Sequence, residues 1–378
     1  MLINDLMTST YNKQQVDLIL LDFSKAFDKV SHEKLLLKMH TYGVRGQTLK
    51  WIKSFLDNRT QSVLLNGTSS EAIPVPSGVP QGSVLGPLLF LAYINDLPEN
   101  VNSKVRLFAD DTAIYMSLTS LNQSATLQND LNTLELWEKN WDMEFNPSKC
   151  QVIHVTKKKE TIPTKYYLHG TLLESENSAK YLGVDISNNL SWEDHINRIT
   201  KKANQTLGFL RRNIKVKSET LKTNAYKTLV RPQLEYGSEV WAPHTQSLID
   251  QIEAVQRRSA RWIKLDYGQT SSVTGMLQSL NLRRLDLRRI DSRLSLMYKI
   301  SNNLVAIPLN DYLIPLSRPS RHSHPQSYRL ITATTDYYKY SFFPRTVYHW
   351  NNLPPDIPSL PTTEQFSAAI SSIEHVSP

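Results

Sequence analysis

Two apolar runs that end on carboxylates constrain this chain more than any other feature. Val16–Asp28 reads VDLILLDFSKAFD, and Val105–Tyr115 reads VRLFADDTAIY. Each has strand-like composition and delivers aspartate where the strand gives way to a turn, Asp22 in the first and Asp110 with Asp111 in the second. The pattern predicts one metal site. Two divalent cations held about 3.5–4 Å apart serve in-line phosphoryl transfer, one activating the attacking oxygen and the other stabilising the leaving oxygen. Hard cations prefer such oxygen ligands. Adjacent aspartates in a turn also occur as plain solvated residues. Metal binding would explain why like charges stand together where repulsion otherwise destabilises a fold. At this level the pair of stretches suits a nuclease or a polymerase.

A chain of 378 residues with 40% hydrophobic content predicts two or three globular units. Lys and Arg outnumber Asp and Glu by 43 to 35, a formal charge of +8, which favours an anionic partner. The excess is concentrated between Ser191 and Asn302, where 20 Lys/Arg meet 10 Asp/Glu. A single cysteine, Cys150, excludes an internal disulfide framework and any multi-cysteine zinc site, and reads as a buried thiol in a reducing compartment. The opening MLINDLMTST lacks a basic leader, and the longest apolar run, Val84–Ile94, is too short to span a bilayer. The expectation is an intracellular protein, nuclear or cytoplasmic, with no signal peptide or transmembrane segment.

In chain order, Met1–Gln15 reads as a polar lead into the first strand. SHEKLLLKMHTYG and GQTLKWIKSFLDNR follow as two short helices, then strands at Gln61–Leu65 and Ala72–Val75 flank NGTSSE. The Gly/Pro-punctuated SGVPQGSVLGP opens a helix through Leu97 that is apolar on most sides and predicts burial. VRLFADDTAIY reads as a hairpin with the aspartate pair at its tip, and Leu121–Trp141 as an amphipathic helix repeating at Leu127, Leu131 and Leu134. QVIHVT, KYYLHG and AKYLGVDI predict a small antiparallel sheet around KKKE, whose lysines Lys157–Lys159 suit a hairpin turn or a nuclear signal. Helices dominate from Ser191, with a unit boundary near Ser187. Beyond Asn302, 10 of the 19 prolines fall in the last 76 residues, predicting an extended tail with one late helix at Thr362–Ile373.

The ordered set DFSKAFD, SGVPQGSVLGPLLFLAYINDLP, FADD, NPSKC and KYLGV resembles motifs A to E of the reverse transcriptase palm, in the version found in LINE-type, non-LTR retrotransposons. FFPRTVYHWNNLPPDI, VWAPH and IEAVQRRSARWI resemble the carboxy-terminal region of jockey-like elements. The resemblance implies an α+β right-hand palm, an antiparallel sheet with packed helices, followed by an α-helical thumb-like region. Residues 1–187 would be the palm with a remnant of fingers, 188–302 a basic helical thumb or connection region, and 303–378 a Pro-rich tail. Only 21 residues precede Asp22, so it also implies an amino-terminally truncated chain without endonuclease or most of the fingers.

Residue by residue, the resemblance makes Asp22, Asp110 and Asp111 ligands of two Mg²⁺ ions, or Mn²⁺, with the Phe23 carbonyl as a further oxygen ligand. Phe27 takes the place of the aromatic under the incoming sugar, where its bulk would exclude a ribose 2′-hydroxyl; core packing is its other reading. Gln81 and Gly82 match the turn that contacts the templating pair, glycine allowing close backbone approach. Lys149 matches a proposed proton donor to pyrophosphate, and Tyr181, Leu182 and Gly183 match the primer grip. On Thr245–Lys264, Leu248, Ile252, Val255 and Trp262 mark an inner stripe while Arg257, Arg261 and Lys264 share a face suited to phosphates. In the tail, Tyr328, Arg329, Tyr337, Tyr338, Tyr340, Phe342, Phe343 and Arg345 interleave aromatic and basic residues, as single-strand binders do, or pack a core. The implied partners are RNA template, DNA primer and dNTPs, with no membrane. The competing reading is a catalytically inactive nucleic-acid-binding remnant of such an element.

Overall fold

Val16–Leu21 is aliphatic at every position but Asp17, and a strand of that composition is stable only when both faces are covered. The structure, a computed structural model that describes residues 1–317 and 324–373, makes it the centre of a five-stranded sheet with all seven residues of β1 (Gln15–Leu21) buried. With β2 (Lys104–Phe108), β3 (Asp111–Leu118), β4 (Gln151–Val155) and β5 (Glu174–Ser175), the sheet order is β5-β4-β1-β3-β2. All neighbours are antiparallel except β4 and β5, which run parallel.

The chain divides into two compact units, Asn12–Gly183 and a second built from Met1–Tyr11 with Val184–Pro378. In the first, helices α2 (His32–Thr41), α3 (Gly46–Leu56), α4 (Leu85–Ile94) and α5 (Leu121–Trp141) cover the sheet unit's core, to which Ile19, Leu21, Phe90, Tyr93, Leu127, Leu131 and Leu134 contribute. Helix α5 has the predicted bounds, set at its start by a Ser120–Gln123 capping box. The apolar α4 is buried along one side only: Leu89, Phe90, Tyr93 and Ile94 are covered, whereas Leu88 and Leu91 reach solvent. The strands at QVIHVT and KYYLHG do not share a small sheet. The first is β4, hydrogen-bonded to β1 along Val16–Leu20, and the second pairs, among the described residues, with Thr171–Leu172. The region flanking NGTSSE breaks into two-residue ladders, Thr60–Gln61 with Ile73–Pro74 and Leu64–Leu65 with Thr68–Ser69.

In the second unit, Met1–Gln15 is not a polar lead. Leu2–Tyr11 is helix α1, with Leu2, Leu6 and Thr10 buried along one face and Tyr11 stacked on Tyr338 at 4.2 Å. Along the chain the second unit resumes at Val184, after Gly183. Helices α6 (Glu193–Asn213) and α7 (Gln246–Lys264) pack around Ile196, Leu207, Ile252 and Trp262, followed by α8 (Leu285–Ser301). The tail is more helical than its prolines predict. Besides α10 (Thr363–Ser371) it forms Asp336–Lys339 and α9 (Phe342–Asn351), in which Pro344 sits in the first turn, where a missing N–H costs no intrahelical bond. Among the described residues no helix is long and apolar enough to cross a membrane.

Candidate active site

The antiparallel register of β1 and β3 pairs Leu21 with Thr112, so one further step along the ladder sets Asp22 across from Asp111. Phe108 of β2 pairs with Asp111, and Ala109–Asp110 is the tip between them. Ala109 has φ +51, in the left-handed region that costs an alanine about 1–2 kcal/mol. The hairpin therefore presents its aspartates from a strained tip. Burial, then the charges of Asp110 and Asp22, pushes the Asp111 carboxyl above the ordinary carboxylate range.

Beyond Asp22 the chain leaves the end of the central strand for Glu144–Asn146. The Asp22 carbonyl accepts from Asn146 N at 2.7 Å, and Ser24 N donates to Glu144 O at 2.8 Å. Phe23 faces Phe145 across this isolated bridge, with the rings stacked at 4.1 Å, which turns the Phe23 carbonyl away from that partner. Asn146 then organises the next turn: its side chain accepts from Ser148, and its carbonyl accepts from the amides of Lys149 and Cys150. The turn places Lys149 Nζ 3.2 Å from Asp22 Oδ2. Cys150 is buried, and burial pushes its thiol up to about 11.

These groups line one cleft of about 260 Å³, with Asp22, Asp111, Lys149, Gln151, Lys180 and Tyr181 on its walls. Burial, then the Asp111 charge, pushes the Tyr181 phenol up to about 12. Leu182 and Gly183 follow with φ +47 and +83, a tight turn after Ser178–Tyr181. Sequence reasoning missed Lys180 and Gln151, since nothing in their local pattern separates them from surface polar residues.

The loop of Gln81 docks on the turn that follows Asp22. Val79 N donates to Phe27 O at 2.9 Å, Gly78 N to Val30 O at 2.8 Å, and Gln81 Nε2 to Asp28 Oδ1 at 3.0 Å. Phe27 is half-buried and stacked on Phe90 at 4.3 Å. Gly82 has φ +81 and no protein atom within 4 Å of a Cβ. Gly78 is the glycine packed against protein backbone, where a Cβ would stand 2.9 Å from Asp28.

Among the described residues no group of three or more His, Cys, Asp or Glu could hold a metal ion. The charges of Asp110 and Asp22 act on Asp111, and Lys149 pairs with Asp22. The donors nevertheless fit a hard divalent cation in kind: all are oxygens, Asp22 Oδ2 is out of solvent with only the Lys149 ammonium beside it, and Asp111 feels the charge of two neighbouring carboxylates.

Of the predicted phosphate face on α7, Arg257 is exposed, while Arg261 donates to Gly268 O at 2.9 Å and Lys264 pairs with Glu219 at 2.8 Å. More exposed cations stand on and after α6, at Lys201, Lys202, Arg211, Arg212, Lys215 and Lys217, a group the sequence reading did not single out. In the tail, the single-strand-binding reading gives way to packing: Tyr328 and Phe343 are buried, Arg345 bonds the carbonyls of Ala242 and Pro243, and Tyr340 stacks on His244 at 4.4 Å.

Residues 3–186 match the family model described as reverse transcriptase (RNA-dependent DNA polymerase). The chain is 31% identical to the RNA-directed DNA polymerase from mobile element jockey of Drosophila melanogaster over 69% of this chain and 30% of that protein. It is also 31% identical, over the same shares, to the probable RNA-directed DNA polymerase from transposon X-element of Drosophila melanogaster. The chain thus spans about 30% of the length of the curated relatives it matches. The solved apo telomerase from Candida tropicalis is 10% identical at TM-score 0.41, covering 82% of this chain and 55% of that one, too distant a likeness to carry weight.

Proposed function

Residues 3–186 of the chain belong to the reverse transcriptase (RNA-dependent DNA polymerase) family, and from that premise we propose that the protein acts as an RNA-directed DNA polymerase of a jockey-like, non-LTR retrotransposon. The observation that carries the reading is the cross-strand juxtaposition of Asp22 with Asp111, with Asp110 beside them, at one end of the sheet.

In this reading Asp22, Asp110, Asp111 and the Phe23 carbonyl hold two divalent cations, Mg²⁺ or Mn²⁺. Such a pair, when bound, favours the ionised primer 3′-hydroxyl and stabilises charge on the leaving pyrophosphate. Phe27, braced by Phe90, lies under the sugar of the incoming dNTP, where its ring disfavours a 2′-hydroxyl. Gln81 and Gly82 meet the templating pair on a loop fastened to Asp28. Lys149 is 64% exposed and its ion pair with Asp22 is worth less than about 1 kcal/mol, so its ammonium is free to turn and give a proton to the departing pyrophosphate. Tyr181, Leu182 and Gly183 hold the primer end. The basic helices, Arg257, Arg261 and Lys264 included, hold the template–primer duplex by its phosphates.

Primer extension tests this. The purified protein, given a DNA primer on an RNA template, dNTPs and Mg²⁺, should incorporate nucleotide, and Asp110→Asn should lower the rate by a factor on the order of 10³ or more. Absence of incorporation by the unsubstituted protein would overturn the proposal.

A further inference from the structure

Arg289 and Arg293 occupy successive turns of α8, and each is only 2% exposed. Arg345 on α9 is within electrostatic reach of both. Among the described residues, Nη1 and Nη2 of Arg289, Nε and Nη2 of Arg293 and Nε of Arg345 are out of solvent with no hydrogen-bond partner. The charges that act most strongly on Arg293 are Arg345 and Arg289, ahead of Glu239 and Asp291.

The nearby carboxylates, whose charges favour Arg289 and Arg293, make their direct contacts with other groups. Glu239 accepts from Ser292, Asp291 pairs with Arg283 at 2.7 Å, and Glu235 pairs with Arg288. Asp286 pairs with Arg284 at 2.5 Å, and Glu253 accepts from Asp286 N at 3.0 Å. A buried charge without a partner is among the most destabilising arrangements in a fold, and like charges at i,i+4 of a helix repel. Three mutually coupled guanidiniums with buried, unused N–H groups supply the planar forks that tetrahedral oxyanions accept. A nucleic-acid backbone cannot reach side chains this deeply covered, which leaves a small ion.

We propose that Arg289, Arg293 and Arg345 form an internal site for a small inorganic oxyanion of the phosphate class, which neutralises the cluster and fastens α8 to α9. Inorganic phosphate is the probe. Added to the whole protein at ionic strength matched with sodium chloride, it should raise the melting temperature saturably, by roughly 2 °C at ten times its dissociation constant. The rise should vanish in Arg293→Met. Because that variant could fail to fold, the unsubstituted protein is also examined by phosphorus NMR, where the phosphate resonance should broaden on adding protein and sharpen when excess sulfate competes. An equal rise with chloride, an equal rise in a folded Arg293→Met, or an unaltered phosphate resonance each overturns the site.

Discussion

A Cβ at Gly78 would stand 2.9 Å from both Cα and O of Asp28, at a φ of +85 that L-residues rarely adopt. Neither neighbour can yield, because Asp28 is part of the turn that carries Phe27 and the Gln81 contact. Gly82 has a similar φ of +81 but open space around it. Alanine at Gly82 should cost about 1 kcal/mol, the ordinary left-handed penalty, while alanine at Gly78 should cost about 2–4 kcal/mol by adding an unrelievable clash. Urea denaturation midpoints of the two variants measure the difference. Equal losses would mean that the loop is not clamped to the Asp28 turn. At the site itself, Asp22, Asp110 and Asp111 were legible because each closes an aliphatic run, whereas Gly78 was not: its role depends on a backbone 50 residues away in sequence.

The one charged residue inside β1 ties that strand to the segment after β4. Asp17 is fully buried, and its carboxylate accepts from Gln15 at 2.8 Å, Thr164 at 2.5 Å and Tyr166 at 2.7 Å, with His154 Nδ1 at 2.9 Å across the ladder. Burial alone raises its carboxyl, but His154, Thr164 and Tyr166 together outweigh that and hold it below the usual 3.8. A carboxyl lowered in the folded state contributes stability that is complete above its unfolded value and lost as pH falls through the folded one. The stability gap between the unsubstituted protein and Asp17→Asn should therefore be full at pH 7 and shrink below about pH 4. Urea midpoints at pH 7 and pH 3 test this, and a gap independent of pH would refute it. In the sequence Asp17 was only an interruption in an apolar run, and QVIHV only another strand. Periodicity names a strand, but the choice of β1 as the partner of β4 depends on long-range burial. Helix α5 was legible to its ends because Ser120 and Gln123 cap it locally, while α1 was missed because ten residues with a single apolar stripe resemble a polar lead.

The +10 excess between Ser191 and Asn302 is not uniformly available to a polyanion. Burial removes Lys222, Arg289 and Arg293, and ion pairs engage Arg198, Lys264, Arg283 and Arg288. What remains exposed is weighted toward α6 and the segment after it, where Arg211, Arg212, Lys215 and Lys217 lie within seven residues of chain. If the basic region holds template–primer duplex by its phosphates, each such contact contributes about 0.9 to the slope of log affinity against log salt. Replacing Arg211, Arg212, Lys215 and Lys217 together by glutamine should flatten that slope by roughly 3–4, while Lys264→Gln, which loses an internal ion pair, should change it by less than about 1. Fluorescence anisotropy of a labelled RNA–DNA hybrid over a salt series measures both. A larger effect from Lys264 than from the four exposed cations would move the phosphate-binding surface back to α7, as the sequence spacing first placed it.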